Sequence, residues 1–157
     1  MVVRSEQEAM FVACEMESTA VQLYTRALAL MDAQDRRQDP LYQSLQGMLQ
    51  EEKEHLRHFR SFYQGLGEAD EQQLTLSAVG EGVLFEGGLM GAARRGLLRD
   101  VPSMLRLAIA AERTSIEKYR EFAQHAQNED ARSALLRIAE EESGHLLELE
   151  ALAQSAC

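Results

Sequence analysis

Glu51-Glu52-Lys53-Glu54-His55-Leu56 returns near the C-terminus as Glu141-Glu142-Ser143-Gly144-His145-Leu146. In each copy a glutamate and a histidine stand three apart, which on an α-helix places both side chains on one face, one turn from each other. A single pair of this kind means little, because glutamate and histidine are common on solvated helix surfaces. The duplication gains weight only when the apolar residues around each copy are traced.

Apolar residues spaced alternately four and three apart lie along one inward stripe of a bundle helix. Four such stripes are present. The first runs Met10, Cys14, Glu17, Val21, Tyr24, Leu28, Met31, and the second Leu41, Leu45, Met48, Glu52, His55, Phe59, Phe62. The third runs Leu105, Ile109, Glu112, Ile116, Tyr119, Ala123, Ala126, and the fourth Ala131, Leu135, Ile138, Glu142, His145, Leu149, Leu152. The pattern predicts an all-α four-helix bundle whose core stripes each carry a carboxylate near mid-helix. Carboxylates are almost never fully buried unless paired, since an uncompensated one loses several kcal/mol of hydration or takes up a proton. Four facing one another require cations.

Glu17, Glu52, His55, Glu112, Glu142 and His145 are therefore the expected metal ligands, with each E-x-x-H pair able to serve the same or adjacent ions. Four carboxylates and two imidazoles suit iron or manganese better than the sulfur-rich sites of zinc or copper(I). Two iron ions are the expectation, with manganese or a mixed pair as alternatives; two divalent charges would balance the carboxylates and leave positions for oxygen, peroxide or water. Tyr24 and Tyr119, each seven residues after a stripe glutamate, read either as phenols bonded to a ligand carboxylate or as ordinary core tyrosines. Cys14 reads as a small buried hydrophobe, and both it and Cys157 as plain thiols. His58 and His125 lack motif and stripe and read as solvent-facing. Glu15, Glu51 and Glu141 adjoin ligands in sequence but point about 100° away from them on the helix, so surface charge is the expectation.

The chain thus repeats one plan, a helical hairpin with a stripe glutamate and tyrosine followed by E-E-x-x-H-L. Hairpin 1 covers about 5–64, turning at Asp39-Pro40, which offers a cap and a favourable first helical position. Hairpin 2 covers about 102–155, with Asn128-Glu129-Asp130 capping its last helix. Eight of the ten glycines fall between Gln64 and Val101, so the crossover over about 65–101 is expected to hold no continuous helix beyond a short piece. It must span roughly 35 Å to return the chain to the other end of the bundle. It could equally carry one hairpin to a second subunit, giving a swapped homodimer.

At 157 residues, the chain is the size of a single domain, 1–157, able to bury a core without disulfides. A formal charge of −10 argues against nucleic acid and anionic lipid as partners. No apolar run is long enough for a bilayer and no secretory leader is evident, so a cytoplasmic location is expected.

The paired E-x-x-H motifs, each preceded by a helix carrying Glu and then Tyr, resemble the rubrerythrin branch of the ferritin-like superfamily. The resemblance covers both hairpins and is clearest in Glu112 to Tyr119 and Glu141 to Leu146. It implies a ferritin-like bundle with a carboxylate-bridged di-iron centre that reacts with peroxide or oxygen, held by the six residues already named. Two departures are visible. Typical rubrerythrins carry a rubredoxin-type domain for electron delivery, which this chain lacks, so electrons would come from an external donor protein. They also place an extra glutamate where Ser115 stands, and the remaining set is similar to that of bacterioferritin or of erythrins without a rubredoxin domain. Three functions follow as expectations: a peroxide- or oxygen-reducing enzyme; an iron-binding protein with a ferroxidase or sequestration role; and a dimer whose metals only staple the bundle.

Overall fold

A computed structural model describes residues 3–156; the expectation for Cys157 lies outside them. Helix α1 spans Glu6–Ala33, opened by Ser5, whose hydroxyl accepts the Glu8 N–H at 3.2 Å. Helix α2 spans Pro40–Phe62; the Asp39 carboxylate accepts the Leu41 N–H at 3.0 Å, and Pro40 occupies a position where its missing donor costs nothing. Between them Asp35 takes a left-handed conformation, φ 55°, which Asp tolerates better than most residues. Hairpin 2 is built the same way from α5 (Val101–Ala123) and α6 (Glu129–Ala156). Asp100 caps α5 through the Ser103 N–H at 2.8 Å, and Asn128 caps α6 through the Asp130 N–H at 2.8 Å.

The two hairpins of the one chain pack as a four-helix bundle, α1 against α5 and α2 against α6. Tyr119 meets Glu17 and Tyr24 meets Glu112, which sets α1 and α5 antiparallel. Polar clasps hold one end of the bundle: Glu6 accepts the N–H groups of Gln127 and Asn128, both at 2.9 Å, while Gln7 bonds the Phe62 carbonyl and the Gln64 N–H. Buried apolar residues form two plugs. Phe59, Tyr119, Phe122, Leu135 and Ile138 belong to one, and Leu23, Met31, Leu45, Met104 and Leu149 to the other. Full burial of each such aliphatic side chain is worth about 1.5–3 kcal/mol. Between the plugs lies the polar layer formed by the stripe carboxylates and histidines. Val21, Ile109 and Ile116 are only half-buried, consistent with the drift of about 20° per heptad that a seven-residue pattern undergoes on a straight helix.

The crossover is more helical than its glycine content predicts. Helix α3 (Glu68–Gly80) and the short α4 (Gly88–Arg94) both pack on α1. Leu74 and Ala78 are buried there, and α1 is covered so fully that Ala9 through Cys14 are all buried. The glycines punctuate rather than dissolve these helices. Gly82, at φ 75°, ends α3 in a paired turn in which its own N–H reaches the Val79 carbonyl and the Val83 N–H the Ala78 carbonyl at 2.8 Å. Gly91 sits where a Cβ would stand 2.0 Å from the Glu86 carbonyl oxygen, so that approach admits no side chain.

Candidate metal centre

Each helix of the bundle brings its stripe carboxylate to the same level. The Glu17, Glu52, Glu112 and Glu142 side chains and the rings of His55 and His145 are all buried. Their donor atoms form two groups within which every atom lies within 4.8 Å of the others: Glu17, Glu52, His55 and Glu142 in one, Glu52, Glu112, Glu142 and His145 in the other. Glu52 and Glu142 belong to both. His55 Nδ1 stands 2.8 Å from Glu142 Oε1 and 3.6 Å from Glu17 Oε1, and His145 Nδ1 stands 3.0 Å from Glu52 Oε1 and 3.6 Å from Glu112 Oε1. Two donors each about 2.1 Å from one ion at right angles would be about 3 Å apart, so these separations suit ligands of a common cation.

Hydrogen bonding separates the ligand oxygens by role. Tyr24 donates to Glu112 Oε1 at 2.5 Å and Tyr119 to Glu17 Oε1 at 2.8 Å, leaving Glu112 Oε2 and Glu17 Oε2 with no partner. Both oxygens of Glu52, one of Glu142 and Nδ1 of each histidine are also buried without a hydrogen-bond partner. Buried polar atoms are almost always satisfied by hydrogen bonds, yet these are left only to one another, His55 Nδ1 beside Glu142 Oε1 and His145 Nδ1 beside Glu52 Oε1. Seven orphans at one level of one bundle, all acceptor or imidazole atoms, fit a pair of cations: Glu17 and Glu112 as terminal ligands, Glu52 and Glu142 as shared ones.

On the far side of each imidazole, a residue read from sequence as surface charge takes part. His55 Nε2 lies 2.8 Å from Glu141 Oε2, and His145 Nε2 lies 2.5 Å from Glu51 Oε2. The side chains of Glu51 and Glu141 are indeed exposed, at 58% and 41%, yet each grips the histidine of the other hairpin. The 100° offset turns them away from their own E-x-x-H pair, toward the facing helix. A carboxylate on Nε2 fixes the ring so that Nδ1 faces the centre, and it raises the basicity of the ligand nitrogen. Arg137 in turn bonds Glu141 at 3.1 Å and His58 Nδ1 at 2.8 Å, so His58 is a half-buried part of this face and not simply solvent-facing.

Electrostatics point the same way. Burial, then repulsion from Glu17 and Glu112, pushes the Glu52 carboxyl well above the usual carboxylate range. Burial, then repulsion from Glu52 and Glu17, does the same to Glu142. Burial opposes charge on the histidines, but the carboxylates facing them prevail: Glu142 and Glu17 raise His55 to about 10, and Glu112 and Glu51 raise His145 to about 9. Burial also opposes charge on Glu112, yet contacts with Glu142, His145 and Tyr24 hold it below the ordinary range. Burial and the neighbouring glutamates raise both Tyr24 and Tyr119, keeping them phenols that donate. Without cations, protons on Glu52, Glu142 and the two rings are what neutralise the cluster; bound cations would displace them.

Cys14 lies on the Glu17 stripe but in neither donor group, and burial pushes its thiol up to about 11. It is a packing thiol. Ser115 is buried one turn beyond Glu112 and puts a hydroxyl there in place of a carboxylate. No described helix is long and apolar enough to cross a membrane.

Among curated proteins and among solved structures, none matches the sequence. The rubrerythrin family profile does, over residues 8–153, a span that takes in all six convergent side chains and both glutamates behind the histidines, and the chain belongs to that family of ferritin-like di-iron proteins.

Proposed function

We propose that the chain is a cytoplasmic di-iron oxidoreductase that reduces hydrogen peroxide, or failing that dioxygen, with electrons from an external donor protein. The observation that carries this reading is the pair of four-donor groups sharing Glu52 and Glu142, with the unpartnered oxygens and Nδ1 atoms facing one another. Two ferrous ions held there would supply the two electrons that, with two protons, turn one hydrogen peroxide into two waters. The chain's own residues hold this centre in shape. Glu51 and Glu141 keep Nδ1 of His145 and His55 turned inward. Tyr24 and Tyr119 pin one oxygen of each terminal carboxylate and leave the other free. Glu52 and Glu142, which readily hold protons in the buried layer, can take back a proton when a ligand position opens.

A second reading, ferrous iron oxidation for handling or storage, is favoured by Ser115, which leaves a six-ligand set. One experiment separates the two. Protein from iron-supplemented cells is assayed for metal, reduced without oxygen, and mixed with hydrogen peroxide while the near-ultraviolet absorption is followed. The enzyme reading expects two irons per chain, rapid oxidation by peroxide and repeated turnover with a reductant. Iron that is oxidised once and then released would favour handling, and no reaction with peroxide would overturn the enzyme reading.

A further inference from the structure

Between α1 and α5, under the turn that follows α3, lies a cavity of about 80 Å³. Its floor is made by Glu112 and Glu142, ligand candidates of the second donor group. Ala20 on α1 and Ala111 on α5 leave its walls open, and Val83 and Phe85 of the crossover form its roof. Val83 is delivered there by the left-handed turn at Gly82. The volume decides what fits: a site for a drug-sized ligand needs about 300–1,000 Å³, whereas one water needs only about 10–15 Å³. A few water-sized molecules can enter, and a bulky organic group cannot.

The polar groups of the wall narrow the ligand class. Thr19 and Thr114 line the cavity but spend their hydroxyl protons on carbonyls of their own helices, Glu15 at 2.9 Å and Ala110 at 3.1 Å. Ser115 lines it too, buried to all but 9%, and among the described residues its hydroxyl has no protein partner. A buried hydroxyl beside an otherwise mostly apolar passage is a hydrogen-bonding post for a small molecule on its way to the carboxylates.

Resting on the peroxide-reducing reading above, we infer that this cavity is the access chamber of the centre, that it admits hydrogen peroxide and excludes bulky hydroperoxides, and that Ser115 binds the incoming peroxide. The crossover, by roofing the chamber with Val83 and Phe85, sets its size. Substrate entering through the chamber therefore meets Glu112 and Glu142 first.

The test uses iron-loaded, reduced full-length protein with hydrogen peroxide and cumene hydroperoxide, and metal-free crystals under xenon pressure. Wild type should oxidise with hydrogen peroxide at least about a hundredfold faster than with cumene hydroperoxide, at the upper range of discrimination by pocket size. Filling the chamber with Ala20→Phe should slow hydrogen peroxide at least tenfold with iron content unchanged, and opening the roof with Phe85→Ala should shrink the preference about tenfold. Ser115→Ala should weaken saturation by hydrogen peroxide severalfold, with Ser115→Thr restoring it. Xenon, which enters apolar cavities, should occupy the apolar part of the chamber, beside Ala20, Leu23, Val83 and Leu107 and away from the carboxylates, in wild type and not in Ala20→Phe. Equal rates for the two hydroperoxides, or a wild-type rate in an Ala20→Phe variant that excludes xenon, would overturn the chamber while leaving peroxide reduction standing. No reaction of wild type with either hydroperoxide would overturn both.

Discussion

Around Glu17 the centre is tightly packed: Tyr119 bonds Glu17, packs edge-on against Phe59 with ring centroids 5.1 Å apart, and is itself fully buried, while a groove on the outer face reaches only the His55 ring and not Glu17. Around Glu112 and His145 the same plan is executed with smaller neighbours. Tyr24 bonds Glu112, but the position equivalent to Phe59 is Leu149, the one equivalent to Met16 is Ala111, and the cavity reaches Glu112. The crossover adds to the difference, because its helices α3 and α4 pack on α1, and the turn carrying Val83 and Phe85 is what reaches over the cavity toward α5. Duplicated ligands thus sit in unequal surroundings. Donor identity follows the repeat, while access follows packing and the one segment that is not repeated.

The shared and terminal ligands give the largest contrast. Glu142→Ala removes a donor from both groups and should abolish binding of both irons, whereas Glu17→Ala removes one terminal ligand and should leave about one iron per chain, at the Glu112 and His145 side. Metal analysis after desalting checks this; equal losses in both variants would break the distinction between shared and terminal carboxylates.

Chelation should reverse how stability depends on pH. In metal-free protein the folded-state values of Glu52, Glu142, His55 and His145 are all raised. Groups raised in the folded state stabilise it below their unfolded values, and that stability is lost as pH climbs through the folded ones. For the histidines the loss runs from the unfolded value near 6.5 up to about 9 to 10. The thermal midpoint of metal-free protein should therefore fall from pH 6 to pH 9. Iron-loaded protein should gain stability over the lower part of that range, because its ligands must be deprotonated. Thermal melts of both forms across the range provide the check, and parallel curves would contradict it.

A smaller effect should come from the glutamates behind the histidines. Glu51→Gln and Glu141→Gln should each weaken iron binding about 10- to 100-fold, the first at the His145 side and the second at the His55 side. Competition with a chelator of known affinity measures both. Of similar size should be the tyrosines: Tyr24→Phe and Tyr119→Phe each leave a buried carboxylate oxygen without its donor, a cost of about 1–3 kcal/mol. Denaturant melts of the metal-free protein give the two values side by side, and a loss near zero for Tyr24→Phe would mean that water from the cavity replaces its hydroxyl.

Much of this architecture was legible in the sequence because the stripes are long and the duplication is internal. Glu52, His55, Glu142 and His145 hold the register of Leu45, Met48, Phe59, Leu135, Ile138 and Leu149, so their convergence follows from burying the apolar neighbours. Glu51 and Glu141 were not legible by the same logic, since a 100° offset describes only where a residue leaves its own helix. The antiparallel register that sets Glu52 against His145 also sets Glu51 against it, and the recurrence of Glu-Glu in both copies was the available signal. The helices of the crossover were hidden for another reason. Glycines at Gly82 and Gly91 serve a turn and a close approach, and composition alone cannot distinguish those uses from loss of helix. The cavity, a gap between helices sized by Ala20, Ala111 and Phe85, depends on packing that no linear pattern records.

Anomalous diffraction at the iron edge, from crystals of protein loaded with ferrous iron, tests the central claim most directly. The account predicts two peaks, one among Glu17, Glu52, His55 and Glu142 and one among Glu52, Glu112, Glu142 and His145. A single peak outside these groups, or no peak with the six side chains still in place, would contradict it.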